Sequence, residues 1–499
     1  MVNNWDLFIL DPLIILLGLI GIGYIWKKEN ASKKWLIFYV ETILIWFVNG
    51  FLIKKGAEHI QISESYSTPG AIALALFGAS AFFAILLKPL ATYLTGRIRS
   101  RRVWMWSAQG TSAIALLMSL FIGYNTSGSA ALIVFSAIFI GFSLASQSLY
   151  FLLVNEQHYY KIFPMTSSFK MAFVITLGTF IGTWIFNTNF VAQKGYEQGT
   201  NISYVGVFIV TLIALLISVV LSFKNIEKPS YIQSFSINTK EKLMPYNKKV
   251  LINLLILMVG LGIIFSLLNS SVYELFIAAK LKSHNMSLGA IYGFLRRYSD
   301  LFYIAQFILG YPIYRYLTRK IGYRQTITGV LIIMLIVVVS TTFVYNENLL
   351  LFARFIFGIA FSQIFYIWFG MAIAWNYRSS GIPITGLAAS AYLIGDFLPT
   401  LITSICRLSG AGFFGTAASV SDIVNNDFDI TEFITKLENA MAIIGCIVFA
   451  AIAGYLTYHI FASKIVLVEY TNLEDIEAKL ISLEKKNIQN KIKSRITLD

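Results

Sequence analysis

Apolar runs of about 20 residues recur along this chain, each broken by a short polar or basic stretch. A run of that length spans a hydrocarbon core of about 30 Å as an α-helix. Inside lipid every backbone N–H and C=O must be paired within the protein, so such runs read as helices. A β-barrel would show shorter, alternating segments instead. The predicted spans are 7–26; then 35–53, 70–93, 103–124, 130–154, 168–190 and 203–223; then 250–277, 287–316, 325–345, 349–375, 383–406 and 440–463.

Two of the polar breaks repeat each other. Pro89, Tyr93, Leu94, Thr95, Ile98 and Arg101 recur 223 residues later as Pro312, Tyr316, Leu317, Thr318, Ile321 and Arg324. The same shift carries the first set of six spans onto the second, except that the last span is delayed by a polar stretch, 409–439. A duplicated unit of this kind is the plan of many secondary transporters. Span 7–26 has no counterpart. Asp6 and Asp11 stand where a signal peptide would be basic, and no small-x-small cleavage site follows, so it reads as a retained helix. The predicted fold is all-α and integral to the membrane: two six-helix bundles plus one extra N-terminal transmembrane helix. The expected units are 1–34 (extra helix and basic loop), 35–223 (first bundle), 224–249 (linker), 250–463 (second bundle) and 464–499 (tail).

Composition agrees with a lipid solvent. The chain is 57% hydrophobic and 13% charged, with a mean hydropathy of +0.70. A soluble protein carries roughly a quarter of its residues charged. The net charge of +14 is mostly a topology signal. Lys27, Lys28, Lys33, Lys34, Arg97, Arg99, Arg101, Arg102, the linker lysines, Arg319, Lys320 and Arg324 fall in loops that alternate onto one side. That side holds roughly 20 basic residues against roughly 7 opposite, which makes it cytoplasmic. The N-terminus is then outside and the tail inside, in a multi-pass protein of the plasma membrane. Charges scattered over membrane loops give no nucleic-acid surface.

Six plus six helices, a basic central linker and a basic loop after the second helix of each half resemble the major facilitator superfamily. That family's loop reads Gly-x-x-x-Asp-[Arg/Lys]-x-Gly-[Arg/Lys]-[Arg/Lys]. Arg97 and Arg101 match its basic positions in the first half, with Gly96 in the Asp place and Arg99 in the Gly place. Lys320, Gly322 and Arg324 match in the second, with Arg319 in the Asp place. The resemblance implies alternating access and cavity lining by the first and fourth helices of each half. The missing Asp bears on the latch it forms in that family between the halves. Richness in Ile, Phe, Lys and Asn also resembles the divergent facilitators of mycoplasma-type bacteria, some of which carry a label of sugar-phosphate transport. The arginine that organophosphate antiporters place in the first helix of each half is missing from 35–53 and 250–277.

Intramembrane charges are costly and mark candidate sites. Glu41 and Lys88 lie at similar depth on neighbouring spans, as a packing ion pair or as a gate or proton-coupling carboxylate with its cation. Arg296 and Asp300 are four apart and share a helix face, which leaves Arg297 the freer cation. That cluster is either interfacial or functional. Arg354 sits one turn into its span, either snorkelling to the interface or facing a cavity. Asp396 is the deepest single acid and the best isolated candidate for substrate or ion coupling, against a packing role. Tyr366 is the aromatic candidate for the cavity, and Glu274 reads as interfacial.

His59, His158, His284 and His459 show no metal-ligand spacing, and no Gly-rich loop ends in Lys-Ser or Lys-Thr. Cys406 and Cys446 form no disulfide framework. No metal, cofactor or catalytic residue is expected. Leu473, Ile476, Leu480 and Leu483 predict a short amphipathic helix in the tail, as a surface helix or an oligomerisation element. Three functions remain open. One is a secondary active transporter of a small solute, an organic anion or sugar phosphate among the options, working by exchange or coupled to H+ or Na+. The others are a lipid flippase or exporter on the same fold, and a membrane enzyme or scaffold.

Overall fold

Every regular element among the described residues is a helix. The computed structural model describes residues 6–28, 33–65, 71–122, 129–157, 164–193, 204–225, 227–228, 248–269, 271–343, 346–376, 382–408, 420, 423 and 430–462. The tail predicted to be amphipathic, most of the linker and most of the stretch 409–429 lie outside them.

A π-turn, Asp6–Leu10, leads into α1 (Asp11–Lys28). The first set follows as α2 (Lys33–Ser65), α3 (Ala71–Phe77), α4 (Ser80–Ile98), α5 (Arg102–Met118), α6 (Ser129–Ala145), α7 (Gln147–Gln157), α8 (Pro164–Gln193) and α9 (Tyr204–Lys224). The second comprises α10 (Lys248–Asn269), α11 (Ser271–Ser283), α12 (Leu288–Ala305), α13 (Tyr323–Phe343), α14 (Glu347–Asn376), α15 (Ile384–Leu408), α16 (Ile430–Met441) and α17 (Phe449–Ala462). Nine helices among the described residues are long and apolar enough to cross a membrane. Two predicted spans are broken: α3 from α4, and α6 from α7 at Ser146. The last span starts ten residues early, because 430–441, predicted as part of a polar insertion, is the helix α16 that runs into it. Its Glu438 pairs with Lys280 of α11 at 2.8 Å.

Bare backbone brings the main helix pair of each half together. α2 packs on α8, and α10 packs on α15, the helices of the first and fifth predicted spans of each set. A Cβ on Gly182 would stand 2.2 Å from the Phe47 carbonyl oxygen, and one on Gly395 would stand 2.0 Å from that of Val259. Small residues permit such approach, and lipid gives helices no hydrophobic drive to associate, so packing decides the pairing.

The repeated loops sit at the same end, called here the basic end. Each leaves its helix through one residue at positive φ: Arg99 at 57° and Gly322 at 94°, again 223 apart. Glycine reaches this region freely, whereas a side chain is strained there. Arg99→Gly is therefore expected to raise stability by about 0.5–1 kcal/mol, read as a higher melting temperature in detergent; an unchanged or lower value would count against the strain. The repeated prolines are accommodated differently. Pro312 lies between two π-turns, Gln306–Gly310 and Tyr314–Thr318, that continue α12 to Ile321. Pro89 stays within α4 and, having no N–H, leaves the Ile85 carbonyl without its helical donor. Ser390 of α15 supplies one, Oγ to O at 2.7 Å, across the halves.

The helices fall into two groups that meet where α4 packs on α15 and where α8 packs on α14, with Phe180 of α8 also 4.7 Å from Tyr303 of α12. At the basic end rings close the second seam. Phe169 stacks on Tyr314 at 5.0 Å and meets Tyr366 edge-on at 4.6 Å, and Phe151 lies 4.3 Å from Phe369. α1 lies outside along this seam and touches both groups. The Leu177 and Phe173 side chains fill the space over Gly18 and Gly21, and Trp184 donates to the Leu7 carbonyl at 2.8 Å. Asp11 pairs with Arg296 of α12 at 2.6 Å. The outer face of α1 exposes Leu13, Leu16, Leu19 and Ile20.

Candidate functional site

Among the charged side chains buried where the first group reaches the basic end, four form two pairs. Arg101 is fully buried. Its guanidinium spans both carboxylate oxygens of Glu156, at 3.1 and 3.3 Å, and donates to the Thr92 carbonyl at 3.1 Å and to Thr95 Oγ1 at 2.9 Å. Arg102, its neighbour at the start of α5, pairs with Glu41. The second oxygen of Glu41 accepts from Asn225 Nδ2 at 2.8 Å. Glu227, just past α9, caps α5: its carboxylate accepts from Ser100 Oγ and the Arg101 N–H, both at 2.8 Å, and from the Arg102 N–H at 3.3 Å. A carboxylate there satisfies donors that an N-terminus leaves open and complements the helix dipole. The start of the linker is thus fastened to the loop that carries the repeat.

Glu41 and Lys88, expected as partners, are not joined. A carboxylate facing the α5 terminus is taken by Arg102 instead, which sequence places in a loop and the fold places against α2. Lys88 is 1% exposed and donates to Gln147 Oε1 at 2.7 Å, the first residue of α7. Thr92, one turn on, meets Ser148 at 3.2 Å.

The candidates of the second group are dispersed. Arg354 is 3% exposed and does not snorkel. It donates to the carbonyls of Tyr298 at 3.3 Å and Leu268 at 3.4 Å and to Asn269 Oδ1, and it lies over the rings of Phe302 and Tyr298 at 4.7 and 4.8 Å. Such contacts satisfy a guanidinium without an acid. Arg296 turns away from Asp300 to Asp11, because α1 brings a carboxylate to its face of α12. Arg297 is exposed and donates to the Gly293 carbonyl of its own helix at 3.2 Å. Asp300 is buried and Glu274 exposed. Tyr366 is buried at the seam, its hydroxyl donating to Gln306 Oε1 at 3.2 Å. Asp396 is half-buried on α15, one turn beyond Tyr392 and beside the backbone of Gly262. Phe365 meets Tyr392 at 5.1 Å, Phe265 lies at 6.2 Å and Phe361 at 6.4 Å, so Asp396 stands at the edge of an aromatic cluster.

In the loops, Arg97 is exposed, and Lys320 is exposed on the last turn before Gly322; the side chain of Arg324 lies outside the described set. Among the described residues no group of three or more His, Cys, Asp or Glu is placed to hold a metal. The residues that sequence reasoning missed are Arg102, Glu156, Gln147, Asn225 and Glu227. Gln147 and Glu156 were visible as polar positions within or beside an apolar run. Arg102 was hidden by counting it as one of several loop charges.

No protein-family model and no curated protein matches this chain. Solved structures do match. The crystal structure of the nucleoside transporter NupG aligns over 84% of this chain and 99% of its own, at 13% identity and a TM-score of 0.50. A mutant of NupG aligns over 84% and 100%, also at 13% identity, with a TM-score of 0.54. The human organic anion transporter MFSD10 (TETRAN) aligns over 89% and 99% at 10% identity, with a TM-score of 0.50. The chain has the major facilitator fold. At these identities that is a statement about architecture. In the repeated loop of the first group the buried pair is Arg101 with Glu156, and no acid stands at Gly96 or Arg319.

Proposed function

We propose that this protein is a secondary active transporter that moves a small solute across the plasma membrane by alternating access. The observation that carries it is the seam. Two helix groups, each tied internally by close backbone packing, meet along α4/α15 and α8/α14, and a buried cation lies on the first of these lines. Such groups can rock as rigid bodies about a fixed site. With the basic end in the cytoplasm, as the loop charges favour, the ring contacts of Phe151, Phe169 and Tyr314 make this the state closed on that side. The architectural neighbours are named for nucleosides and organic anions, so both classes belong among the solutes tried.

Asp396 is the coupling carboxylate in this proposal, half-buried at the edge of the aromatic cluster. Purified protein in proteoliposomes should give saturable counterflow of a solute from a panel of nucleosides, organic anions, sugars and amino acids. Gradient-driven uptake should depend on a pH or Na+ gradient. Asp396→Asn should keep counterflow and lose gradient-driven accumulation. Normal accumulation in that variant would remove Asp396 from coupling, and absence of all solute movement in well-folded protein would overturn the transporter proposal.

A further inference from the structure

Lys88 is the buried cation whose surroundings ask for an anion. It lies ten residues inside the basic end of α4, about 15 Å, or half the hydrocarbon thickness measured along that helix. Its one bonded partner among the described residues is the neutral amide of Gln147. Two other pairs of buried charges in the first group, Arg101 with Glu156 and Arg102 with Glu41, are matched acid to base. Among the described residues Lys88 has no such match. A buried, unmatched ammonium is costly and is retained where it has a task.

Two helix starts lie beside Lys88, one at its side chain and one at its backbone. The fourth span breaks at Ser146, and α7 begins at Gln147, the residue that Lys88 contacts. The first turn of α15 lies against the α4 backbone at Lys88 from the other group: a Cβ on Gly386 would stand 2.5 Å from the Lys88 carbonyl oxygen and 2.7 Å from Thr92 Oγ1. Helix N-termini carry partial positive charge, and transporters aim the starts of broken helices at anionic groups of their solutes. Within 143–156 every residue is buried except Gln147, which keeps accessible surface. The 223-residue repeat puts Tyr311 where Lys88 stands, so the cation belongs to the first half alone.

We infer that Lys88, with Gln147, Thr92, Ser148 and the first turn of α15 around it, binds a carboxylate or phosphate group of the transported solute. In the closed seam Gln147 occupies the ammonium. When α4 parts from α15, the Ser390 bond to Ile85 breaks, the first turn of α15 withdraws, and the anionic group takes the place of the amide. This inference rests on the transporter proposal above and names its substrate class.

The test uses the full chain and matched probes: glycerol 3-phosphate with glycerol, glucose 6-phosphate with glucose, and benzoate with benzyl alcohol. Wild-type protein should be stabilised against heat by, and transport, an anionic member of a pair and not its neutral twin. Lys88→Gln should weaken that anion by about 10- to 100-fold, the size of one lost hydrogen bond to a charged group. Lys88→Arg should keep the preference for the anion. Lys88→Met should melt no lower than wild type, because an unmatched charge is removed from the interior; a structural lysine would lower it. Neutral twins carried equally by wild type and Lys88→Gln would overturn the inference and leave the transporter proposal standing. No movement of any probe or panel solute by folded wild-type protein would overturn both.

Discussion

Arg101→Ala is expected to destabilise this protein by about 3–5 kcal/mol, the usual size when one partner of a buried ion pair is removed. The carboxylate of Glu156 is fully buried and would lose both guanidinium bonds, while the Thr92 carbonyl and Thr95 hydroxyl would lose a donor each. Arg101→Lys should recover only part of the loss, because an ammonium cannot span two carboxylate oxygens in the planar fork that this geometry uses. Glu156→Gln in the Arg101→Ala background should restore part of it by removing the stranded charge. The check is a double-mutant cycle on thermal unfolding in detergent. If Arg101→Ala melted within a degree or two of wild type, the pair would be ornamental and the loop held by the Glu227 cap alone.

The second large effect is expected at Gly395. Its Cα lies against the α10 backbone: a Cβ would stand 2.0 Å from the Val259 carbonyl oxygen, and the reciprocal contact puts one on Gly262 2.1 Å from the Tyr392 carbonyl oxygen. Both clashes are with main chain, so no rotamer change relieves them. Gly395→Ala should cost about 1–3 kcal/mol as an overpacked position, and Gly395→Leu more than that. The leucine variant should be recovered at much lower yield, and the alanine variant should melt earlier. Gly329 has open space around it and serves as the control, where alanine should do little or slightly stabilise the helix. Equal melting temperatures for Gly395→Ala and Gly329→Ala would show that α10 and α15 are not held at this spacing.

The two predictions test different layers. Arg101 holds a loop and the start of the linker to the first group, while Gly395 sets the distance between the two main helices of the second. Lys88 belongs to neither category. Two other pairs of buried charges in the first group are matched, and among the described residues its own charge is not, which is why a substitution there should change binding more than melting.

The sequence by itself determined the solvent, the helical class, the duplication and the loops it relates. Those follow from runs long enough to cross lipid and from polar breaks 223 residues apart. It also located Glu41, Lys88, Arg354 and Asp396 as charges inside apolar runs. What it did not determine was which charge meets which. Helical spacing ranks neighbours on one helix, so it offered Arg296 with Asp300; the partner came from α1, 285 residues away. Depth along a span ranked Glu41 with Lys88, but packing rotated Glu41 toward the start of α5 and its Arg102. The helix breaks at Ser146 and beside α3 escaped notice because hydropathy stays high across them. Tertiary structure alone decided these matters, since a pairing between distant helices depends on rotation and approach, and those were fixed by backbone contact at glycines such as Gly182 and Gly395.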